Sequence, residues 1–203
     1  MIEVIAEHSV RTDLLTGGYV LDAGCVGFAF GLELARRKHP VVFIDPAPDV
    51  EPPVNAFDLP LWASFNRVAL VGKGYPKRMI LRMTGDLQAR HLTNAAKDGD
   101  PWVDCVTLDS ILAASDGKPW DVLKLDIEGA EIDVLMGIEG PIARQITCEF
   151  HLHCPQGGTD ADIARVVDHL SRWYVPVLHE KSVRHCLSTP NHWDSLFVLK
   201  DLV

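Results

Sequence analysis

Apolar residues in this chain fall in short runs that stop at glycine, proline or charge, and the runs alternate with stretches of helical period. Tyr19-Val20-Leu21 ends in Asp22, Val41-Val42-Phe43-Ile44 ends in Asp45-Pro46, and Val122, Leu123, Leu125 and Ile127 make a third run. Runs this continuous belong to strands covered on both faces. Between the first two, Ala23-Gly24-Cys25-Val26-Gly27 reads as a tight turn and residues 28–38 as a helix. Residues 19–44 therefore predict a parallel βαβ unit with a right-handed crossover.

The stretch from Asp121 to Glu131 organises the rest. Lys124, Asp126 and Glu128 interrupt its apolar strand, Gly129 breaks it, and residues 130–138 predict a helix with Ile132, Leu135 and Met136 on one stripe. Charges are seldom set into a buried strand without a partner. The carboxyl end of a parallel strand is also where open α/β sheets bind ligands. Elsewhere, residues 2–15 predict a helix facing inward through Ile5, Val10, Leu14 and Leu15. Residues 47–60 are proline-rich and predict a loop. Residues 67–71 predict a third strand, and residues 72–101 a polar segment with a hairpin near residues 79–83 and a short helix near residues 87–96. Thr107 is set to cap a helix over residues 107–112. Residues 144–152 predict a fifth strand. Residues 159–173 predict the clearest helix, with Ile163, Val166, Val167 and Leu170 at i, i+3, i+4 and i+7 behind a Thr159-x-x-Asp162 capping box. Two last strands are predicted at residues 175–178 and 195–199. The expected architecture is α/β and Rossmann-like, with helices on both faces of a mostly parallel sheet.

Composition narrows the class. The chain has 203 residues, 47% hydrophobic and 23% charged, which is a globular balance. It is expected to form one domain over residues 1–203, with residues 72–101 as a substrate-side insert or lid. The formal net charge of −9 argues against general nucleic-acid or anionic-membrane binding. No apolar run approaches the roughly 18 residues of a membrane span. Residues 1–10 carry Glu3 and Glu7 and do not read as a signal peptide. Five cysteines (Cys25, Cys105, Cys148, Cys154 and Cys186) without a Cys-x-x-Cys are expected to be free thiols in a cytoplasmic protein.

The turn after the first strand is the first chemical signal. Asp22-Ala23-Gly24-x-x-Gly27 follows a strand and opens a helix, so backbone N–H groups face a ligand there. Asp45, about twenty residues on, is placed to accept from a ribose diol. Cys25 and Pro46 flank these positions and complete the candidate cofactor-binding set. Val26 stands where a dinucleotide fingerprint has its second glycine, which disfavours a nicotinamide-dependent oxidoreductase. Asp22, two residues before the first glycine, suits a cationic ligand such as the amino group of S-adenosylmethionine.

These residues resemble the FkbM family of S-adenosylmethionine-dependent methyltransferases. The resemblance runs through Val20-Leu21-Asp22-Ala23-Gly24 with Gly27, Phe43-Ile44-Asp45-Pro46, Thr107-Leu108-Asp109-Ser110-Ile111-Leu112, the stretch from Leu123 to Glu131, and Cys148-Glu149-Phe150-His151. It implies a seven-stranded fold with one antiparallel strand near the C-terminal edge. It also implies methylation of hydroxyl groups, often on sugars or natural products. The family's first turn is usually one residue longer, and its ribose-binding position is usually glutamate where Asp45 stands here.

Methyl transfer is an in-line displacement, and an alcohol acceptor must lose its proton as the bond forms. Asp126, Glu128, Glu149 and His151 are the candidate catalytic groups, with His151 nearest neutral pH in its reference pKa. Lys124 is expected to pair with Asp126 or Glu128. Glu131 suits the N-terminus of its helix. No metal is expected; the donors for one would be Glu149, His151 and His153. His185 and His192 are expected on a surface loop, although Asn191-His192-Trp193-Asp194 is placed to line an acceptor pocket. The expected partner is a small-molecule acceptor. The rival reading is a non-catalytic cofactor-binding protein, a sensor or partner subunit.

Overall fold

The computed structural model describes residues 1–52, 63–82, 90–115, 117–152, 154, 157–182 and 192–203. Its strands are β1 (Ile2–Ile5), β2 (His8–Arg11), β3 (Tyr19–Ala23), β4 (Val41–Ile44), β5 (Ala63–Asn66), β6 (Ala69–Val71), β7 (Arg78–Arg82), β8 (His91–Thr93), β9 (Trp102–Thr107), β10 (Trp120–Leu125), β11 (Gln145–His151), β12 (Tyr174–Ser182) and β13 (His192–Leu199). The helices are α1 (Ala29–Arg36), α2 (Leu108–Leu112), α3 (Glu131–Met136) and α4 (Asp160–Leu170).

A seven-stranded sheet runs in the order β12-β13-β11-β10-β3-β4-β5. β13 is antiparallel to both neighbours, while β3, β4, β5, β10 and β11 pair in parallel. The strand order reverses between β3 and β10, so their carboxyl ends diverge into the crevice where such sheets bind ligands.

Alternation along the strands sorts the core into two layers. Leu21, Leu123, Leu125, Ile146 and Phe150 pack with Ile132 and Leu135 of α3 and Ile163 and Val166 of α4. Val20, Val41, Phe43 and Val122 pack on the other face with Phe30 and Leu34 of α1. Each such side chain contributes about 1.5–3 kcal/mol when fully buried. The α4 capping box forms as its sequence predicts, with Asp162 N–H donating to Thr159 Oγ1 and Thr159 N–H to Asp162 Oδ2.

Several expectations are corrected. Residues 2–15 form no α-helix; β1 and β2 make an antiparallel hairpin, with Ile5 opposite His8 and a short 3-10 turn following. Its two-residue loop, Ala6-Glu7, has φ of 43° and 73°, both left-handed, as a tight turn between twisted strands requires. No glycine or asparagine marks that loop in the sequence. The third strand of the main sheet is β5, with Ala63 opposite Val41, whereas β6 joins a second sheet ordered β6-β9-β7-β8. A hairpin does pair Arg78–Arg82 with His91–Thr93, but residues 91–93 are strand and not helix. Residues 90 and 94–96 are not helical either, while residues 87–89 and most of the expected 47–60 loop lie outside the described residues. Thr107 caps α2 in position only, without a side-chain hydrogen bond. Met136 is 40% exposed, and Val134 takes the inward place expected for it.

Among the described residues Cys25, Cys105, Cys148 and Cys154 are free thiols; Cys186 lies outside them. No helix among the described residues is long and apolar enough to cross a membrane.

Candidate active site

A cavity of about 700 Å³ opens at the carboxyl ends of β3, β4, β10 and β11. Its floor is the turn after β3. Gly24 has φ of 76°, and a Cβ there would lie 1.6 Å from the Asp126 carbonyl oxygen, so only glycine fits. The turn then passes through Phe28, also left-handed at φ 60°, into α1. Asp22, Gly24, Cys25, Asp45 and Pro46 line this end. Gly27, with φ of 77°, serves the turn and not the wall.

Asp22 is only 1% exposed, and its carboxylate is held on both sides. Oδ2 accepts from the Gly31 N–H of α1 at 2.9 Å, and Oδ1 lies 3.2 Å from Lys124 Nζ. It thus ties the turn to the helix as well as facing the cavity. Asp45 Oδ1 accepts from Ala47 N–H at 2.9 Å. Burial pushes its carboxyl above the usual range, against that hydrogen bond and the charges of Lys124 and Arg90. Arg90 reaches the same end and is clamped by both oxygens of Asp49, at 2.5 and 2.7 Å. Burial also raises the Cys25 thiol, with Asp22 and Asp45 adding to it, so this cysteine is no thiolate nucleophile.

Lys124 separates the two ends. Its ammonium donates to the Ala23 and Gly24 carbonyls at 3.2 and 2.6 Å and pairs with Asp22 and Asp126, each at 3.2 Å. Burial disfavours its charge, but the two carboxylates outweigh that and raise its pKa. This is the structural ion pair expected for it, made with Asp22 as well. Burial works against the Asp126 charge too, but Lys124 foremost holds that carboxyl well below its usual range.

The opposite wall gathers carboxylates and imidazoles. His151, 4% exposed at the end of β11, places Nδ1 3.0 Å from Glu131 Oε1. Its Nε2 faces Glu149 at 3.4 Å, Asp126 at 3.5 Å and Glu128 at 3.8 Å. Burial alone would lower its pKa, but Glu131 first and then the others lift it well above the ordinary value. The surrounding carboxylates thus shift this ring away from the near-neutral range of an ordinary histidine. Glu131 is buried and accepts from Ile127 and Gly129 N–H at about 3 Å, the helix-start role expected for it. Glu128 sits at φ 55°, a left-handed strain of the kind found at functional sites. Burial lifts its carboxyl to about 7, Asp126 and Glu131 adding to the rise and His151 opposing it.

One residue reaches the wall from a place the sequence did not suggest. His8, 6% exposed, comes from the hairpin, with Nε2 3.4 Å from Asp126 Oδ2 and its ring edge-on to Phe30. His192 belongs to β13 and is 5% exposed, not on a surface loop; it lines the cavity, the place its stretch was also expected to take. His153, His185 and Asn191 lie outside the described residues. No sequence signal marks His8, because its position depends on the unmarked turn before it.

A family model for the methyltransferase FkbM domain matches residues 30–174. The chain belongs to the FkbM methyltransferase family. The matched span takes in Asp45, Lys124, Asp126, Glu128, Glu149 and His151, and begins after the glycine turn, which is where this chain departs from the family pattern. A search of curated proteins finds no match. Among solved structures, the chain resembles WbdD at 14% identity with a TM-score of 0.51, over 90% of this chain and 35% of that one. It thus spans about a third of WbdD's length. It also resembles a magnesium protoporphyrin IX methyltransferase from Synechocystis at 14% identity (TM-score 0.46, 91% of this chain and 71% of that one). A third likeness is to a TehB-like SAM-dependent methyltransferase from Corynebacterium glutamicum, at 14% identity (TM-score 0.42, 92% and 82%).

Proposed function

We propose that this protein transfers a methyl group from S-adenosylmethionine to a hydroxyl of a small molecule of sugar or natural-product type. The observation that carries the reading is one cavity with two chemically different ends: a glycine turn and Asp45 at one, and the Asp126–Glu149–His151 wall at the other, about Lys124. The family membership supports methyl transfer, and with it S-adenosylmethionine as the donor. A volume of about 700 Å³ suits a cofactor and a small acceptor together. Leu81, His91 and Leu92 of the second sheet border the cavity and are the residues of the 72–101 segment placed to touch the acceptor.

Asp45 accepts from the ribose diol, and the open N–H groups of the glycine turn face the cofactor. Lys124 fixes Asp22 and Asp126 on either side of the switch point. The acceptor hydroxyl lies beside Asp126 and Glu149 and donates its hydrogen bond to Glu128, which orients an oxygen lone pair at the methyl carbon. Glu128 lines the cavity with its carboxyl lifted to about 7, which suits it to take the departing proton near neutral pH. A positioned base of this kind contributes about 10²–10⁴-fold.

The experiment is formation of S-adenosylhomocysteine by purified protein incubated with donor and a panel of polyhydroxylated acceptors. At least one acceptor should raise its formation above the slow background. Glu128→Gln should lower that rate about 100-fold or more with donor affinity unchanged. Donor binding with no methylated product from any acceptor would favour the non-catalytic cofactor-binding reading.

A further inference from the structure

We propose that His8, Asp126 and Glu149 form a binding site for one divalent cation of the magnesium–manganese class, placed to hold the acceptor oxygen. This rests on the methyl-transfer reading for its purpose, but not for its existence. One donor atom from each residue lies within 4.8 Å of the others. Ligands about 2.0–2.2 Å from one ion lie at most about 4.4 Å apart. The three donors therefore need to close by only a few tenths of an ångström. The His8 Nε2 to Asp126 Oδ2 separation of 3.4 Å already approaches that of adjacent ligands on one ion.

The site is more than a patch of acidic residues. Its donors come from three separate elements, β2, the end of β10 and β11, and one is an imidazole buried to 6% exposure. An oxygen-rich set with a single imidazole suits manganese and magnesium better than softer metals. The groups behind the donors are those that orient ligands. Lys124 Nζ lies 3.2 Å from Asp126 Oδ2, and His192 Nε2 lies 3.8 Å from Glu149 Oε1. Asp126 divides its oxygens, Oδ2 toward His8 and Oδ1 toward His151, so the carboxylate bridges the cation site and the His151 ring. Asp126, Glu128 and Glu149 converge on this wall, and Lys124 beside them is shared with Asp22.

Chemically, a cation here makes the acceptor hydroxyl more acidic. The O–H bond breaks with its proton going to Glu128. The oxygen pair then forms the O–C bond to the methyl group as the S–C bond breaks, and its electrons return to sulfur as the neutral thioether. No redox partner is required.

The test is titration of chelator-treated full-length protein with Mn²⁺ alone, without donor or acceptor, read by electron paramagnetic resonance of free Mn²⁺. One saturable site per chain is expected, and His8→Gln and Glu149→Gln should each weaken it 10-fold or more. Glu139→Gln, at an exposed residue paired with Lys73, should leave it unchanged. In the unaltered protein, bound Mn²⁺ should broaden the His8 and His151 ring resonances before that of His169, whose ring sits on the Ile138 carbonyl. Absence of saturable binding, or equal affinity in both ligand variants, overturns the proposal, as does broadening that spares His8. A parallel calorimetric titration with S-adenosylmethionine in chelator separates the two readings. Donor binding without Mn²⁺ binding removes only the cation site, and loss of both removes the methyl-transfer reading as well.

Discussion

Two aspartates mark the two ends of β10, one inside the strand and one just beyond it, and they are handled in opposite ways. Asp121, at the amino end, is fully buried and satisfied by short bonds: Thr16 N–H at 2.6 Å, Thr16 Oγ1 at 2.7 Å and Gly18 N–H at 2.9 Å. Asp126, at the carboxyl end, keeps 25% of its side chain open to the cavity. Its nearest side-chain partners are longer ion pairs, Lys124 at 3.2 Å, His8 at 3.4 Å and His151 at 3.5 Å. One carboxylate is filled by two backbone N–H groups and a hydroxyl, with His39 and Arg144 further out, and serves the fold. The other is surrounded by side chains from separate elements, with a lone pair facing a cavity, and is ready to accept a ligand. A buried charge thus reveals its role by how completely its neighbours use it.

Removing each aspartate should separate those roles. Asp121→Ala strands buried N–H groups and is expected to cost about 3–5 kcal/mol of stability, read as a fall in the denaturant midpoint. Asp126→Ala is expected to cost less than about 2 kcal/mol, since Lys124 keeps Asp22 and two carbonyls, while turnover falls by about 100-fold or more. A larger stability loss at residue 126 than at residue 121 would break the contrast. Next in size, Gly24→Ala puts a Cβ against the Asp126 carbonyl and should weaken donor binding by about 3 kcal/mol, read by calorimetry. Unchanged affinity would mean that the turn does not face the donor. The smallest effect sharpens the comparison from outside it. Thr159→Ala removes the α4 cap, which bonds to neither aspartate, and should cost about 1 kcal/mol with turnover unaltered.

What could be read in the sequence divides along the same line. β3, β4, β10 and β11 announce themselves as apolar runs, and α4 by its period and cap, because those signals are local. Asp22, Asp45, Lys124, Asp126, Glu128, Glu149 and His151 were legible as a site because each stands at or beside the carboxyl end of such a strand. The hairpin was not legible, since its turn uses Ala6 and Glu7 in left-handed backbone without glycine. β5, with the sequence Ala-Ser-Phe-Asn, carries little apolar signal of its own and is placed by pairing with β4. His8 and His192 reach the wall only through tertiary packing. The upward shift of the His151 ring likewise depends on four carboxylates drawn from two stretches of chain, which no single reference value anticipates.

The most direct test of the two-ended cavity is calorimetric titration of S-adenosylmethionine into the unaltered protein and into Asp45→Ala. The account requires one site per chain, with Asp45→Ala weaker by about 1.5–3 kcal/mol, or roughly 10- to 150-fold, and folding unchanged. Equal donor affinity in the two proteins, or no binding to either, would contradict it.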